Sequence, residues 1–190
     1  MRDLAKFEDV AKTARKLPPV DLWNPAYTGD LDMRIAADGS WFYQGTPILR
    51  ERMVRLFSTI LRKDDDGRTY MVTPQEKYGI TVDDAHFTVV EMVVENPGAN
   101  QTLFLRTNLD EQIAVNASHP MRFQQTDAEG GIKPYVLVRG NLEALVNRSI
   151  FYDLAEIGVV EAHQGADWFG VWSAGTFWPM ALADEIGAER

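Results

Sequence analysis

Short strand-like runs fill the second half of the chain and restrict it to a sheet-rich fold. From about Ala85 onward, residues that favour turns separate these runs at close spacing: "HFTVVEMVVEN", "QTLFLRTN", "EQIAVN", "MRFQQTD" and "IKPYVLV". Such a pattern predicts a meander of antiparallel strands. "VVEAHQ" and "DWFGVWS" predict a final hairpin around Gln164-Gly165-Ala166, and "TFWPMAL" predicts an apolar tail that packs back on the body.

Helical spacing of apolar residues stands out in two other places. Leu4 to Leu17 predicts an amphipathic first helix that Pro18-Pro19 ends. "NLEALVNRSIFYDLAEIG" predicts one long helix in the second half, with Asn141 as its N-cap and Gly158 after its end.

The stretch "GDLDMRIAADGSWFYQGTPILRERM" predicts a hairpin that leads into a helix. "LDMRIA" alternates, the chain turns at Asp38-Gly39, and it returns as "WFYQ". Thr46-Pro47 fits the N-cap and first position of a helix over Pro47–Arg62, which the acidic run Asp64 to Gly67 ends. "RTYMVT" predicts a further strand.

The same unit of strand, glycine, helix, turn and strand occurs twice, in "WFYQGTPILRERMVRLFSTIL" and in "YVLVRGNLEALVNRSIFYDL". The sequence therefore predicts an α+β protein of two subdomains with a duplicated strand–helix–strand unit. Residues 1–84 would hold a helix, a hairpin, a second helix and a strand. Residues 85–190 would form an antiparallel sheet with one long helix.

Composition excludes several classes of function. The formal net charge of −9 opposes binding to nucleic-acid polymers and to anionic membranes, although it allows one local basic pocket for a small anion. With 0 cysteines, disulfides and thiolate chemistry are excluded. The N-terminus does not resemble a signal peptide, and no apolar run is long enough to span a bilayer, so a cytoplasmic protein is expected.

No reaction motif is present, so neither catalytic residues nor a cofactor are expected. The chain lacks a nucleophile elbow, a P-loop lysine motif and histidines at metal-binding spacing. Asp30 and Asp32 alternate and share one strand face. With Asp21 or Glu76 they would form the site of a metal-dependent hydrolase, which is the enzymatic alternative.

Arginine and aromatic residues are concentrated around the same hairpin. Arg34 shares the face of Asp30 and Asp32 by parity, and Arg50 and Arg52 fall in the first turns of the predicted helix, where an anion is favoured. Trp41, Phe42 and Tyr43 are consecutive on a strand, so at least one of them faces away from the core.

These features predict a non-catalytic binding module for a small anionic molecule that contains a ring. The ligand would lie between the N-terminal hairpin–helix unit and the C-terminal sheet. Its candidate residues are Trp23, Trp41 and Tyr43 for stacking, Arg34, Arg50 and Arg52 for charge, and Asp30 and Asp32 for hydrogen bonds to hydroxyls or for orienting the arginines. A second alternative is a protein-interaction module that uses "HFTVVEMVVEN" as a docking edge.

Most of the segment from Pro18 to Asp84 resembles one bacterial family. The pieces "LWNP", "GDLDMRI", "DGSWFYQGTPI", "VRLFS" and "VTPQEKYGI" are similar to the family catalogued as domain of unknown function 1285. The resemblance implies two α+β parts with internal duplication, the C-terminal one being an antiparallel partial barrel like those of pleckstrin-homology domains. It implies no established activity and no catalytic residues.

The resemblance also carries expectations about the role of the protein. It implies a nucleotide-like ligand between the two parts and a signalling role, with a signalling protein as a possible partner. One departure is Tyr27-Thr28 before Gly29, where relatives are expected to carry a cysteine close to the glycine.

Overall fold

The computed structural model describes residues 17–126 and 131–187. The chain divides into two compact units, of which the first runs up to His86 and includes Gly140–Leu142. The second consists of Phe87–Arg139 and the residues from Glu143 onward. The helix predicted from Leu4 lies, up to residue 16, outside the described residues.

One mixed sheet dominates the first unit. After a 3-10 turn at Val20–Leu22, the elements are β1 Tyr27–Ile35, β2 Trp41–Tyr43, β3 Thr46–Pro47, α1 Glu51–Ser58, β4 Leu61–Lys63, β5 Thr69–Val72 and β6 Lys77–Val82. Among the described residues the strand order is β3-β2-β1-β6-β5-β4. The pairing of β1 with β6 is parallel, and the other neighbours are antiparallel.

The hairpin predicted around Asp38-Gly39 is confirmed. Met33 pairs with Tyr43 and Ile35 with Trp41 across β1 and β2. The Asp38 carboxylate accepts a hydrogen bond of 2.9 Å from the Ser40 amide. Gly39 has a φ of 85°, a conformation that glycine adopts at no steric cost.

The helix predicted over Pro47–Arg62 is shorter, and its predicted cap is wrong. Thr46 and Pro47 form β3, where Thr46 pairs with Tyr43, because an edge strand tolerates the missing amide hydrogen of proline. The helix begins at Glu51 and ends at Ser58. Leu61–Lys63 then form β4, which pairs with β5. The acidic run therefore makes the turn between these two strands, with Gly67 at a φ of 79°.

The core of the first unit contains buried side chains from α1 and from the strands. Phe57 from the helix and Ile35, Leu61 and Met71 from the strands are fully buried. Leu49, which the helical prediction placed on the apolar stripe, precedes the helix and is exposed. Burial of one sheet face leaves the opposite face of the same strands to carry the polar residues.

The second unit contains two sheets and two short helices among the described residues. Its elements are β7 Phe87–Glu95, β8 Thr102–Thr107, β9 Gln112–Ala114, β10 Met121–Gln125, β11 Ile132–Arg139, β12 Leu142–Val146, α2 Arg148–Glu156, β13 Val159–His163, β14 Ala166–Ser173, β15 Thr176–Leu182 and α3 Ala183–Ile186. The strand orders are β10-β11-β12-β7-β8-β9 and β13-β14-β15.

The strands predicted for the second half of the chain are present, but one pairing differs from the prediction. β7, β8 and β9 pair antiparallel in sequence, as do β10 and β11. The pairing of β12 with β7 is parallel, so the sheet is mixed and not purely antiparallel. The final hairpin is confirmed, with Gln164 and Gly165 both at positive φ, as a type I′ turn requires. "TFWPMAL" packs as the strand β15 against β14.

The starting residue predicted for the long helix, after an N-cap at Asn141, is wrong. "LEALV" alternates between buried and half-buried positions and forms β12. The helix begins at Arg148 and is capped by Asn147, whose side chain accepts a hydrogen bond from the Ile150 amide. Gly158 lies just past its end, as predicted.

The architecture is α+β, mostly sheet, with few and short helices and two domains. None of the helices in the described ranges is long and apolar enough to cross a bilayer.

Candidate functional site

The exposed face of the first sheet carries three of the candidate residues, Asp30, Asp32 and Arg34. Along β1, Asp30, Asp32 and Arg34 are exposed, whereas Met33 and Ile35 are buried. The shared face predicted for Asp30, Asp32 and Arg34 is therefore confirmed. Residues paired across neighbouring strands point to the same side, so Phe42, the partner of Arg34, belongs to this face as well.

Arg34 stands at a hollow on this face. The hollow has a volume of about 150 Å³ and is lined by Asp32, Arg34, Phe42 and Gly45. The Nη1 atom of Arg34 donates a 2.9 Å hydrogen bond to Oδ2 of Asp83, and its guanidinium carbon lies 4.9 Å from the centre of the Phe42 ring. With 48% of the Arg34 side chain still exposed, the guanidinium is oriented and accessible at once.

Sequence reasoning missed the partner of Arg34. The parallel pairing of β1 with β6 aligns Ile35 with Val82, and the Asp83 amide bonds to the Ile35 carbonyl at 2.9 Å. This brings Asp83 beside Arg34, 49 positions earlier in the chain. The only local signal was the adjacent acids Asp83 and Asp84 after an alternating run.

A second arginine on the same face is enclosed by tyrosines. The guanidinium carbon of Arg68 lies 5.6 Å from the Tyr27 ring centre and 5.4 Å from that of Tyr70, and Arg68 pairs with Asp30. Hydrogen bonds from Tyr27 and Arg68 hold the pKa of Asp30 below its usual 3.8. Gly79 lies beneath the pair, where a Cβ atom would collide with both charged groups.

Asp64 joins two further cations into a network. Arg62 donates to both of its carboxylate oxygens, at 2.5 Å and 3.1 Å, and Lys77 donates at 3.0 Å. Arg62 also donates to the carbonyls of Val20 and Trp23, at 2.9 Å and 2.7 Å. The hydrogen bonds from Arg62, followed by that from Lys77, hold the pKa of Asp64 below 3.8. These groups bind one another and serve as a framework.

The candidate aromatics take different positions. Trp41 is a core residue with 2% of its surface exposed, so its ring offers no face to a ligand. Trp23 and Tyr43 are half-buried. Phe42 faces away from the core beside Arg34, which confirms that the three consecutive aromatics do not share one side.

Arg50 and Arg52 are exposed and lie on either side of Glu51 at the start of α1. Arg50 is the N-cap residue, but its side chain makes no capping hydrogen bond. Within residues 17–126 and 131–187, neither arginine has a side-chain hydrogen bond, ion pair or ring contact, so no contact joins them to the hollow at Arg34.

The two acids named for the enzymatic alternative have different neighbours. Asp30 is engaged by Arg68, and Asp32 opens on the hollow with Arg34. In the described part of the chain, no three side chains of His, Cys, Asp or Glu stand together in a way that could hold a metal ion.

The docking edge predicted for "HFTVVEMVVEN" is covered by a neighbouring strand only in part. Residues Phe87 to Val89 pair with β12 on one side, and Val89 to Glu95 pair with β8 on the other. In the sheet order β7 lies between β12 and β8, but among the described residues β12 pairs only with Phe87–Val89, and no strand pairing is present on that side from Val90 to Glu95. In the described sheet the edges are β9 and β10.

Comparison with known proteins decides the family. The model "Domain of unknown function (DUF1285), N-terminal domain" matches residues 18–85, and "Protein of unknown function (DUF1285), C-terminal domain" matches residues 86–180. The chain belongs to the DUF1285 family. The resemblance found in the sequence is thereby confirmed.

Two solved structures of DUF1285 family proteins are similar to this one. That from Silicibacter pomeroyi DSS-3 is 46% identical, with a TM-score of 0.85, over 93% of this chain and 95% of that chain. That from Shewanella baltica OS155 is 24% identical, with a TM-score of 0.53, over 67% of this chain and 92% of that chain, and it shows the fold alone. A search among curated proteins found no match.

Proposed function

We propose that this DUF1285 protein is a non-catalytic, cytoplasmic binding module. Its N-terminal unit would bind a small anionic, nucleotide-like molecule in the hollow of Asp32, Arg34, Phe42 and Gly45. One observation carries the proposal: Asp83 and Phe42 hold the Arg34 guanidinium from two sides, yet 48% of that side chain stays exposed. A guanidinium fixed in this way loses little freedom when it binds an oxygen of a ligand.

The size and charge of the hollow narrow the ligand. A volume of about 150 Å³ is well below the roughly 300–1,000 Å³ of pockets that enclose a whole drug-sized molecule, so the hollow takes one ring or one sugar. Asp32 and Asp83 flank Arg34, which disfavours several phosphate charges at this point. A ribose-like ring fits better, with its hydroxyls donating to Asp32 and an oxygen accepting from Arg34.

Other candidate residues contribute less directly to the proposal. Arg50 and Arg52 are exposed cations, and their positive charge would attract the anionic part of the ligand toward this unit. Asp30 is held by Arg68 and supports the sheet face beside the hollow. Trp41 supports the hairpin from the core.

The proposal also includes the evolutionary origin of the two units and the role of the protein in signalling. Each unit contains a short strand, a short helix and a return strand, namely β3-α1-β4 and β12-α2-β13, which supports an origin by duplication. Likeness of the C-terminal part to a pleckstrin-homology barrel, and a role in signalling through a protein partner, remain part of the proposal.

A thermal-shift screen tests the function. The probes are adenosine, 2′-deoxyadenosine, AMP and ATP, because a ligand that binds the native state raises the unfolding midpoint. We expect AMP to stabilise the protein more than ATP does, and the deoxynucleoside to stabilise it less than adenosine does. We expect Arg34→Ala to abolish the shift.

Arg68→Ala is the matched control variant. Arg68 is also 48% exposed, also pairs with one aspartate and also lies over an aromatic ring, but it does not line the hollow. Its variant should keep the full AMP shift. Equal losses in both variants, or no shift with any probe, would contradict the proposal.

A further inference from the structure

The outward face of the second unit's β7–β8–β9 sheet carries an apolar row between charged rows. Phe104 on β8 pairs with Val93 on β7 and with Ala114 on β9. Half of Val93, 50% of its surface, is exposed, while the flanking β8 residues Leu103 and Leu105 are buried on the opposite side. The centre of this face therefore presents large apolar side chains to the solvent.

A groove runs over this face. It has a volume of about 390 Å³ and is lined chiefly by Glu91, Val93, Glu95, Phe104, Arg106 and Gln112. The three lining residues on β7 are Glu91, Val93 and Glu95, which occupy every second position of the strand. They share one face, because successive side chains of a strand point to opposite faces.

The charge at the groove is negative. Arg106 donates to Glu91 at 2.5 Å and to Asp110 at 2.9 Å, so a single cation serves two carboxylates. Both acids raise the pKa of Arg106, with the Glu91 hydrogen bond as the main cause. Glu95 is exposed and forms no side-chain hydrogen bond or ion pair within the described residues. Two acids and one base therefore line the groove, and Asp110 outside the lining also pairs with that base.

We infer that this groove binds an extended segment of a partner protein that carries basic residues on both sides of an apolar one. Glu91 and Glu95 are four residues apart on a strand, which is about 13 Å at ~3.3 Å per residue. An extended peptide with the pattern basic-x-apolar-x-basic has the same spacing. Its cations would meet Glu91 and Glu95, and its apolar side chain would pack between Val93 and Phe104.

The negative charge of the groove favours a basic peptide over a second copy of the chain and over a small anion. A second copy of the chain would bring its own Glu91 and Glu95 against the same acids, and opposed like charges destabilise a strand pair. A small anion would be repelled for the same reason. The inference is independent of the proposed nucleotide-like ligand, because it concerns the other unit and the opposite ligand charge.

Fluorescence anisotropy with labelled peptides tests the inference on the full chain. The probe is Gly-Thr-Lys-Thr-Val-Thr-Lys-Thr-Gly, and the matched peptide has Glu in place of both Lys. We expect saturable binding of the basic peptide that weakens as salt rises, and at least tenfold weaker binding of the acidic peptide.

Two variants and one control locate the site. We expect Glu95→Lys and Val93→Ser each to weaken the basic peptide at least fivefold. Glu156→Lys makes the same charge change at an exposed position of α2 and should leave the affinity unchanged. A thermal melt of each variant checks that it is folded.

Three results would overturn the inference. The first is equal affinity for the basic and acidic peptides, and the second is equal loss of affinity in Glu95→Lys and Glu156→Lys. The third is a dimer, found by light scattering, that Val93→Ser dissolves, because a second copy would then be the occupant of the groove.

Discussion

The arginine side chains on the first sheet differ in the partners that surround them. Arg62 and Arg68 have their hydrogen-bonding groups directed at carboxylates, carbonyls and tyrosine rings of their own unit. Arg34 has one carboxylate and one ring and opens on a hollow. The sequence does not distinguish them, because the carboxylates that pair with Arg34 and Arg68 lie 49 and 38 positions away and the carbonyls that bind Arg62 lie 42 and 39 positions away.

Asp64 is the residue on which the charged network depends. In Asp64→Asn, the half-buried Arg62 and Lys77 lose their shared carboxylate. Leaving such donors without an anion costs about 1–3 kcal/mol of the free energy of unfolding, which urea denaturation at pH 7 measures. Asp65→Asn removes the same charge at the exposed neighbouring position and should change stability by less than about 0.5 kcal/mol.

The pH dependence of this effect has a definite direction. Arg62 and Lys77 depress the pKa of Asp64 in the folded state below its usual 3.8. Its contribution is therefore complete above the unfolded pKa and is lost as the pH falls through the folded value. The stability difference between wild type and Asp64→Asn should shrink below about pH 4. A difference that stays constant down to pH 2 would refute this role.

At the scale of elements, the sequence predicted those structures whose signals are local. Asp38-Gly39 and Gln164-Gly165 gave the correct hairpins, because the turns need positive φ values at Gly39, Gln164 and Gly165, which favour glycine and polar residues. The helix start predicted at Thr46-Pro47 was wrong, because the same dipeptide is compatible with a helix start and with an edge strand. The parallel pairings β1–β6 and β7–β12 join segments that are distant in the sequence, so the contact of Asp83 with Arg34 and the pairing of β7 with β12 could not be predicted.

The start of α2 offers a direct test at this scale. Asn147 accepts hydrogen bonds from the Ile150 amide at 3.0 Å and from the Ser149 hydroxyl at 2.9 Å. Asn147→Ala should therefore cost about 1 kcal/mol of the free energy of unfolding. Asn147→Ser keeps an acceptor and should cost much less. Equal urea midpoints for the Ala and Ser variants would show that the cap does not stabilise the helix.

At the scale of the whole molecule, two units carry surfaces of different character. The family models meet between residues 85 and 86, and the compact units meet between His86 and Phe87. The first unit offers an oriented arginine beside an aromatic ring, and the second offers an acidic groove with an apolar floor. The sequence predicted that Asp30, Asp32 and Arg34 share one strand face, but the neighbours of these residues depended on tertiary pairing.

The central claim is that Arg34, and no other arginine of the sheet face, meets the ligand. Two-dimensional NMR of the arginine Nε–H groups during a titration with AMP tests it most directly. The Arg34 resonance should shift in a saturable way, while those of Arg62 and Arg68 stay in place. An Arg34 resonance that does not move at any AMP concentration, or that moves no more than the Arg68 resonance, would contradict the account.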